Sequence, residues 1–213
     1  SQFLIVAAVD STNVLIIPSR VTDKLVKAGD SIRITLNKGE VYQVQSMNRN
    51  NLPGQGDLTG SYILTDKPVA FFSGSLATTI PAYSNVSAWD HLFEQIPPVY
   101  SWGREYYAVP LRSREKDLYR IMAAHDNTTV YVDGHNPFVI NRGEFKEITI
   151  HHNQPKRIFA EKPVLVVQYS QSQSVDEYFT GGNGDPFMII LSSVTQSKND
   201  VTFVAYDSEQ IRK

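Results

Sequence analysis

The chain contains one template twice, and this limits its fold more than any single motif. Lys67-Pro68-Val69-Ala70-Phe71-Phe72 returns 95 residues later as Lys162-Pro163-Val164-Leu165-Val166-Val167. The same offset continues without a gap, carrying Asp90 onto Asp185, Val99 onto Val194 and residues 106–111 onto residues 201–206. Upstream, Phe3-Leu4-Ile5-Val6-Ala7-Ala8 answers Tyr119-Arg120-Ile121-Met122-Ala123-Ala124, and residues 10–14 answer residues 126–130, both 116 apart. Ala28-Gly29-Asp30 is matched with Arg142-Gly143-Glu144 at 114. Each copy must bury its own apolar face, and neighbouring copies pack together. Two modules are therefore expected, at residues 1–111 and 112–213.

The repeated unit is made of strands. Short runs rich in β-branched and aromatic residues, such as residues 3–9, 31–36, 119–123 and 164–169, lie between turn formers. Ile32, Ile34 and Leu36 alternate with Ser31, Arg33 and Thr35, the period of a strand with one buried face. Lys38-Gly39, Asp133-Gly134 and Arg142-Gly143 supply tight turns. Only residues 89–95 read as a helical turn, stopped by Pro97-Pro98. The expected fold is all-β: two tandem β-sandwich-like modules packed together. The counterpart of residues 106–111 is missing before Phe3, while residues 201–206 supply one at the far end. Either that last strand closes beside residues 3–9, or the chain belongs to a longer array. Gly29 to Lys67 is longer than Gly143 to Lys162, and the surplus is assigned to the polar stretch 46–60. That loop reads as a binding segment, with Asn50 and Asn51 as contacts, or as an inert insertion.

Composition narrows the function classes. With 41% hydrophobic residues the 213-residue chain can bury a core. Twenty Lys and Arg against 22 Asp and Glu leave a net charge of −2, with no basic field for a nucleic acid. No apolar run approaches the ~18 residues of a membrane span. There is no cysteine, which excludes disulfides and thiolate ligands. The start, Ser1-Gln2-Phe3, reads as a cut or processed end.

Asp90, His91 and Glu94 form the chief candidate cluster. On a helical turn His91 and Glu94 would share a face, suiting a metal or proton transfer. The alternative is a cap by Asp90 at a module junction. Trp89 and Trp102, with Tyr100, Tyr106 and Tyr107, are read either as packing or as a recognition hot spot. The histidine pair His151-His152, with His125 and His135, is read as exposed strand ends and turns, since neighbours on a strand face opposite ways. Gly181-Gly182-Asn183-Gly184 lacks the ending of a phosphate loop. Asp176, Glu177 and Asp185 match no EF-hand spacing, and no nucleophile elbow is present. No metal and no cofactor are expected. Asn85-Val86-Ser87 and Asn127-Thr128-Thr129 are N-glycosylation sequons.

Asp90-His91-Leu92-Phe93-Glu94-Gln95-Ile96-Pro97-Pro98-Val99, with Trp102-Gly103-Arg104-Glu105 and Val109-Pro110-Leu111, resembles the IgGFc-binding protein N-terminal domain family. Thr65-Asp66-Lys67-Pro68 with the strand after it, and Gly184-Asp185-Pro186-Phe187-Met188-Ile189, carry the same resemblance. It implies a non-enzymatic extracellular adhesion module, secreted or at a cell surface, whose partner is a protein or glycoprotein, immunoglobulin Fc among them. Two other classes stay open: a structural spacer of a fibrous or surface protein, and a glycan-active enzyme using Asp90 and Glu94.

Overall fold

The computed structural model describes residues 1–47, 56–82, 86, 88–175 and 184–202. Fourteen strands run along these residues: β1 (Gln2–Ala7), β2 (Thr12–Ile17), β3 (Ile32–Leu36), β4 (Val41–Gln45), β5 (Tyr62–Thr65), β6 (Val69–Thr78) and β7 (Asp90–Gln95), then β8 (Gly103–Ala108), β9 (Lys116–Ala123), β10 (Thr128–Val132), β11 (Phe138–Ile140), β12 (Phe145–His151), β13 (Lys156–Ser170) and β14 (Phe187–Ile190). The protein is all-β, as the alternating pattern predicts. The helical turn expected over residues 89–95 is instead β7, paired antiparallel with β6. The apolar Leu92 sits two residues from Glu94 and four from Ile96, a strand period that the capping residue Asp90 and the prolines had obscured.

In the first half, a sheet in the order β4-β1-β6-β7 faces a smaller sheet β3-β2-β5. Phe3, Ile5 and Ala7 of β1 and Val44 of β4 meet Val14, Ile16 and Leu36 from the opposite layer. In the second half, β12, β9, β13 and β14 make one layer, while β11, β10, the first part of β13 and β8 make the other. Their core holds Ile121, Val130, Ile158, Val164 and Val166. β13 serves both layers because its 15 residues run through Lys162-Pro163 unbroken. The corresponding stretch of the first half is divided into β5 and β6.

The strand registers of the two halves correspond. Ala7 lies opposite Val69, and Ala123 opposite Val164. Val14 lies opposite Thr65, and Val130 opposite Ala160. Turn chemistry repeats as well: the Asn37 amide donates to the Glu40 carboxylate at 2.7 Å, and the Asn141 amide to that of Glu144 at 2.8 Å. The Gly39 amide donates to the Ala7 carbonyl, and the Gly143 amide to that of Ala123. Gly143 thus answers Gly39, and the match with Gly29 is corrected. Carboxylate-capped turns are set by hydrogen bonds, which the bare glycine spacing does not reveal. The surplus of the first half accordingly divides between the connection after β2 (residues 18–31) and that after β4 (residues 46–61).

The stretch 46–60 is bound at its described ends. Ser46 bridges to Thr22, Leu58 is buried in the core, and Asp57 and Thr59 accept hydrogen bonds from Arg120 of the other half. Both sides of β1 are taken by β4 and β6, so no further strand closes beside it. Residues 201 and 202 are exposed and extend no sheet, and residues 203–206 lie outside the described residues.

β8 leaves the first half and hydrogen-bonds to β13 of the second, Lys156 to Phe159 opposite Ala108 to Glu105. The Tyr106 hydroxyl donates to the Val164 carbonyl and accepts from the Gly103 amide, locking the crossing in the core. Leu92, Ile96 and Trp102 then cover Leu165, Val167, Met122 and Met188 on the outer face of the second half's β12-β9-β13-β14 layer. Arg142 lies over the Tyr62 ring at 4.4 Å, and Gly60 meets the Gly143 backbone where any Cβ would collide with its carbonyl oxygen.

Candidate functional site

On β7 successive side chains alternate between faces, so His91 and Glu94 point to opposite sides. The expected same-face pair is corrected. The Asp90 carboxylate accepts from the His91 amide at 2.7 Å and stands 2.9 Å from its ring Nδ1. Those bonds from His91 hold the Asp90 carboxyl below its usual value. No group of three or more His, Asp or Glu is placed to hold a metal among the described residues.

Trp102 is half-buried at the junction, its Nε1 donating to the Pro97 carbonyl at 2.9 Å. Trp89 is half-exposed just before β7. Asn50, Asn51 and Asn85 lie outside the described residues, as do residues 176–183 of the acidic and glycine-rich segment. Asn127 is exposed in a turn with φ 51°, its amide donating to the Asn141 side chain.

The most developed exposed surface was not singled out from the sequence as a whole. On the outer face of the β10-β13-β8 layer, Tyr131 lies opposite Phe159, and Phe159 opposite Glu105. In the next row Arg157 lies opposite Tyr107. The Tyr131 and Phe159 rings are 6.1 Å apart and tilted by 36°. The Arg157 guanidinium stands 5.5 Å from the Phe159 ring and donates to Glu105 at 2.6 Å. Its hydrogen bond to Glu105 raises the Arg157 pKa, and the charge of Glu161 raises that of Tyr131. Tyr131, Arg157 and Phe159, with Asp133 and Glu161, line an open groove of about 420 Å³.

The equivalent face of the first half bears a second groove of about 570 Å³, lined by Leu15, Leu64, Arg33 and Asp66 among others. Rings held on a rigid sheet, with one guanidinium fixed by the Glu105 carboxylate, offer stacking, cation–π and hydrogen-bonding contacts. The sequence did carry a signal: Tyr131, Arg157 and Phe159 occupy the solvent-side positions of alternating strands, where polar residues are the rule.

The chain is 25% identical to the human IgGFc-binding protein over 174 residues, an alignment covering 80% of this chain and 3% of that protein. No solved structure matches it. Among the described residues no helix is long and apolar enough to cross a membrane. The IgGFc-binding protein family model matches residues 1–211, and the chain belongs to that family.

Proposed function

We propose that this chain is a non-enzymatic extracellular recognition module that binds a protein or glycoprotein through the outer face of its β10-β13-β8 layer. The observation that carries this reading is the face on which exposed Tyr107, Arg157 and Tyr131 surround half-buried Phe159 on paired strands. Tyrosine and arginine are the residue types that dominate binding energy at protein interfaces, and a preformed sheet loses little entropy on docking. The β7 rim, with Trp89, Asp90, His91 and Glu94 on or beside a strand whose Leu92 packs with Trp102, is the second contact region of this proposal.

The family name makes an IgG Fc fragment the first probe, followed by a mucus glycoprotein extract. Immobilised chain is expected to retain a specific protein from one of them. Tyr131→Ala and Arg157→Glu should each weaken that binding by about thirtyfold, the loss of one hot-spot contact of roughly 2 kcal/mol. Unchanged binding in both variants, with loss in Trp89→Ala, moves the site to the β7 rim. No retained protein from either source leaves the spacer reading in its place.

A further inference from the structure

The second half is covered by the first in two ways that the first half lacks for itself. Its outer sheet face (Met122, Leu165, Val167, Met188) lies under Leu92, Ile96 and Trp102, and the first part of β13 takes β8 as its neighbour. In the shared register these four positions are occupied in the first half by Val6, Ala70, Phe72 and Phe93, and the first part of β13 by β5. There, among the described residues, no segment covers them. Phe93 is 53% exposed and stacks on Phe72 at 5.3 Å, and among the described residues β5 pairs only with β2.

The covering segment also has its counterpart. Phe187 stands at the place of Leu92 and Val201 at that of Tyr106. Leu92 and Tyr106 are buried, whereas Phe187 is 41% and Val201 67% exposed. Between those ends Leu191 and Ser193 pack on their own half, so among the described residues one chain presents an uncovered acceptor together with a donor segment free at Phe187 and Val201, on different surfaces. An unpaired strand edge beside an apolar face attracts a strand that carries its own apolar residues.

We infer that a second copy of this chain docks head to tail, its residues 187–202 covering Phe72 and Phe93 and adding a strand to β5. The intrachain register fixes the pairing, because Phe159 opposite Glu105 places Leu64 opposite Asp200, and Ile158 opposite Tyr106 places Ile63 opposite Val201. Donor and acceptor are different surfaces, so the contact is heterologous and each added copy presents a fresh acceptor. The product is an open chain of copies that repeats the joint already built within each molecule.

The absence of cysteine makes a clean test available. Leu64→Cys in one preparation and Asp200→Cys in another alter exposed side chains. Cross-strand Cβ atoms in register lie within disulfide reach. Mixed and oxidised, the two should form a heterodimer at least about tenfold faster than Leu64→Cys mixed with Val139→Cys, because docking raises the local thiol concentration. Adding Phe93→Asp to the Leu64→Cys chain should remove that preference. A rate equal to the Val139→Cys control overturns the inference. So does a concentration-independent intramolecular disulfide in the Leu64→Cys/Asp200→Cys double variant, which would show that the segment returns to its own chain.

Discussion

Arg120 ties the two halves at their polar rim. Its guanidinium donates to the Asp57 carboxylate at 2.8 Å, to the Thr59 hydroxyl at 2.7 Å and to Glu147 at 2.7 Å, and it lies 4.2 Å from the Phe145 ring. Burial alone would push the Asp57 carboxyl up, but the Arg120 charge and the hydrogen bonds from Thr59 outweigh it and hold the group below its usual value. A carboxyl depressed in the folded state stabilises the protein above its unfolded pKa, and that contribution is lost as pH falls through the folded value. Asp57→Asn should therefore cost about 1–2 kcal/mol at pH 7, with Glu147 still holding Arg120. The gap from the parent should begin to narrow below about pH 4, the unfolded carboxyl range, and close as pH falls through the lower folded value. Urea unfolding at pH 7 and pH 3 checks this, and an equal gap at both would show that the charge of Asp57 is not what matters. Nothing in the polar stretch 46–60 announced this pairing, because Asp57 and Arg120 are 63 residues apart and only the packing of the two halves joins them.

At the scale of the element, β7 decides how the halves meet. Its inward residue Leu92 is buried in the junction, while Phe93 faces out beside Phe72. β6 can approach β7 closely because residue 74 is glycine. A Cβ there would stand 1.9 Å from the Leu92 carbonyl oxygen, too near for either backbone to stay in place. Gly74→Ala should detach β7 and cost about 1–3 kcal/mol, the usual penalty for overpacking. Amide exchange should show residues 90–95 losing protection while β9 and β12 keep theirs. Protection retained along β7 would mean that the sheet absorbs the methyl group. Most elements were legible in advance, since β1, β2, β9, β10 and the core run of β13 carry strong period-two or continuous apolar patterns. β5 and β11, at four and three residues, were too short for a pattern to stand out, and β7 carried capping and proline signals that pointed to a helix.

Across the whole molecule, β8 belongs in sequence to residues 1–111 and in hydrogen bonding to the second half. Leu165 and Val167 are buried against side chains of the first half. Halves that share a strand and an apolar junction should unfold together. Fluorescence of Trp102 at the junction and far-ultraviolet circular dichroism should thus give coincident urea transitions. Leu165→Ala should lower both by about 2–5 kcal/mol, the cost of a buried leucine cavity. Two separated transitions would instead establish residues 1–111 and 112–213 as independent folding units.

While β5, β7 and β11 and the match of Gly39 with Gly143 came from the structure, the sequence by itself determined most of the strands and the faces they bury, and it carries the residues that cap their turns. These follow from local alternation and from residues such as Asn37, Glu40, Asn141 and Glu144 that bond within a few positions. Only the tertiary structure decided that β8 crosses to its neighbour, that β7 lies over the second half, and that Tyr107, Arg157, Phe159 and Tyr131 share one face. Those arrangements come from pairings between distant residues. A strand's pattern states which face must be covered, and it carries no record of which segment will cover it.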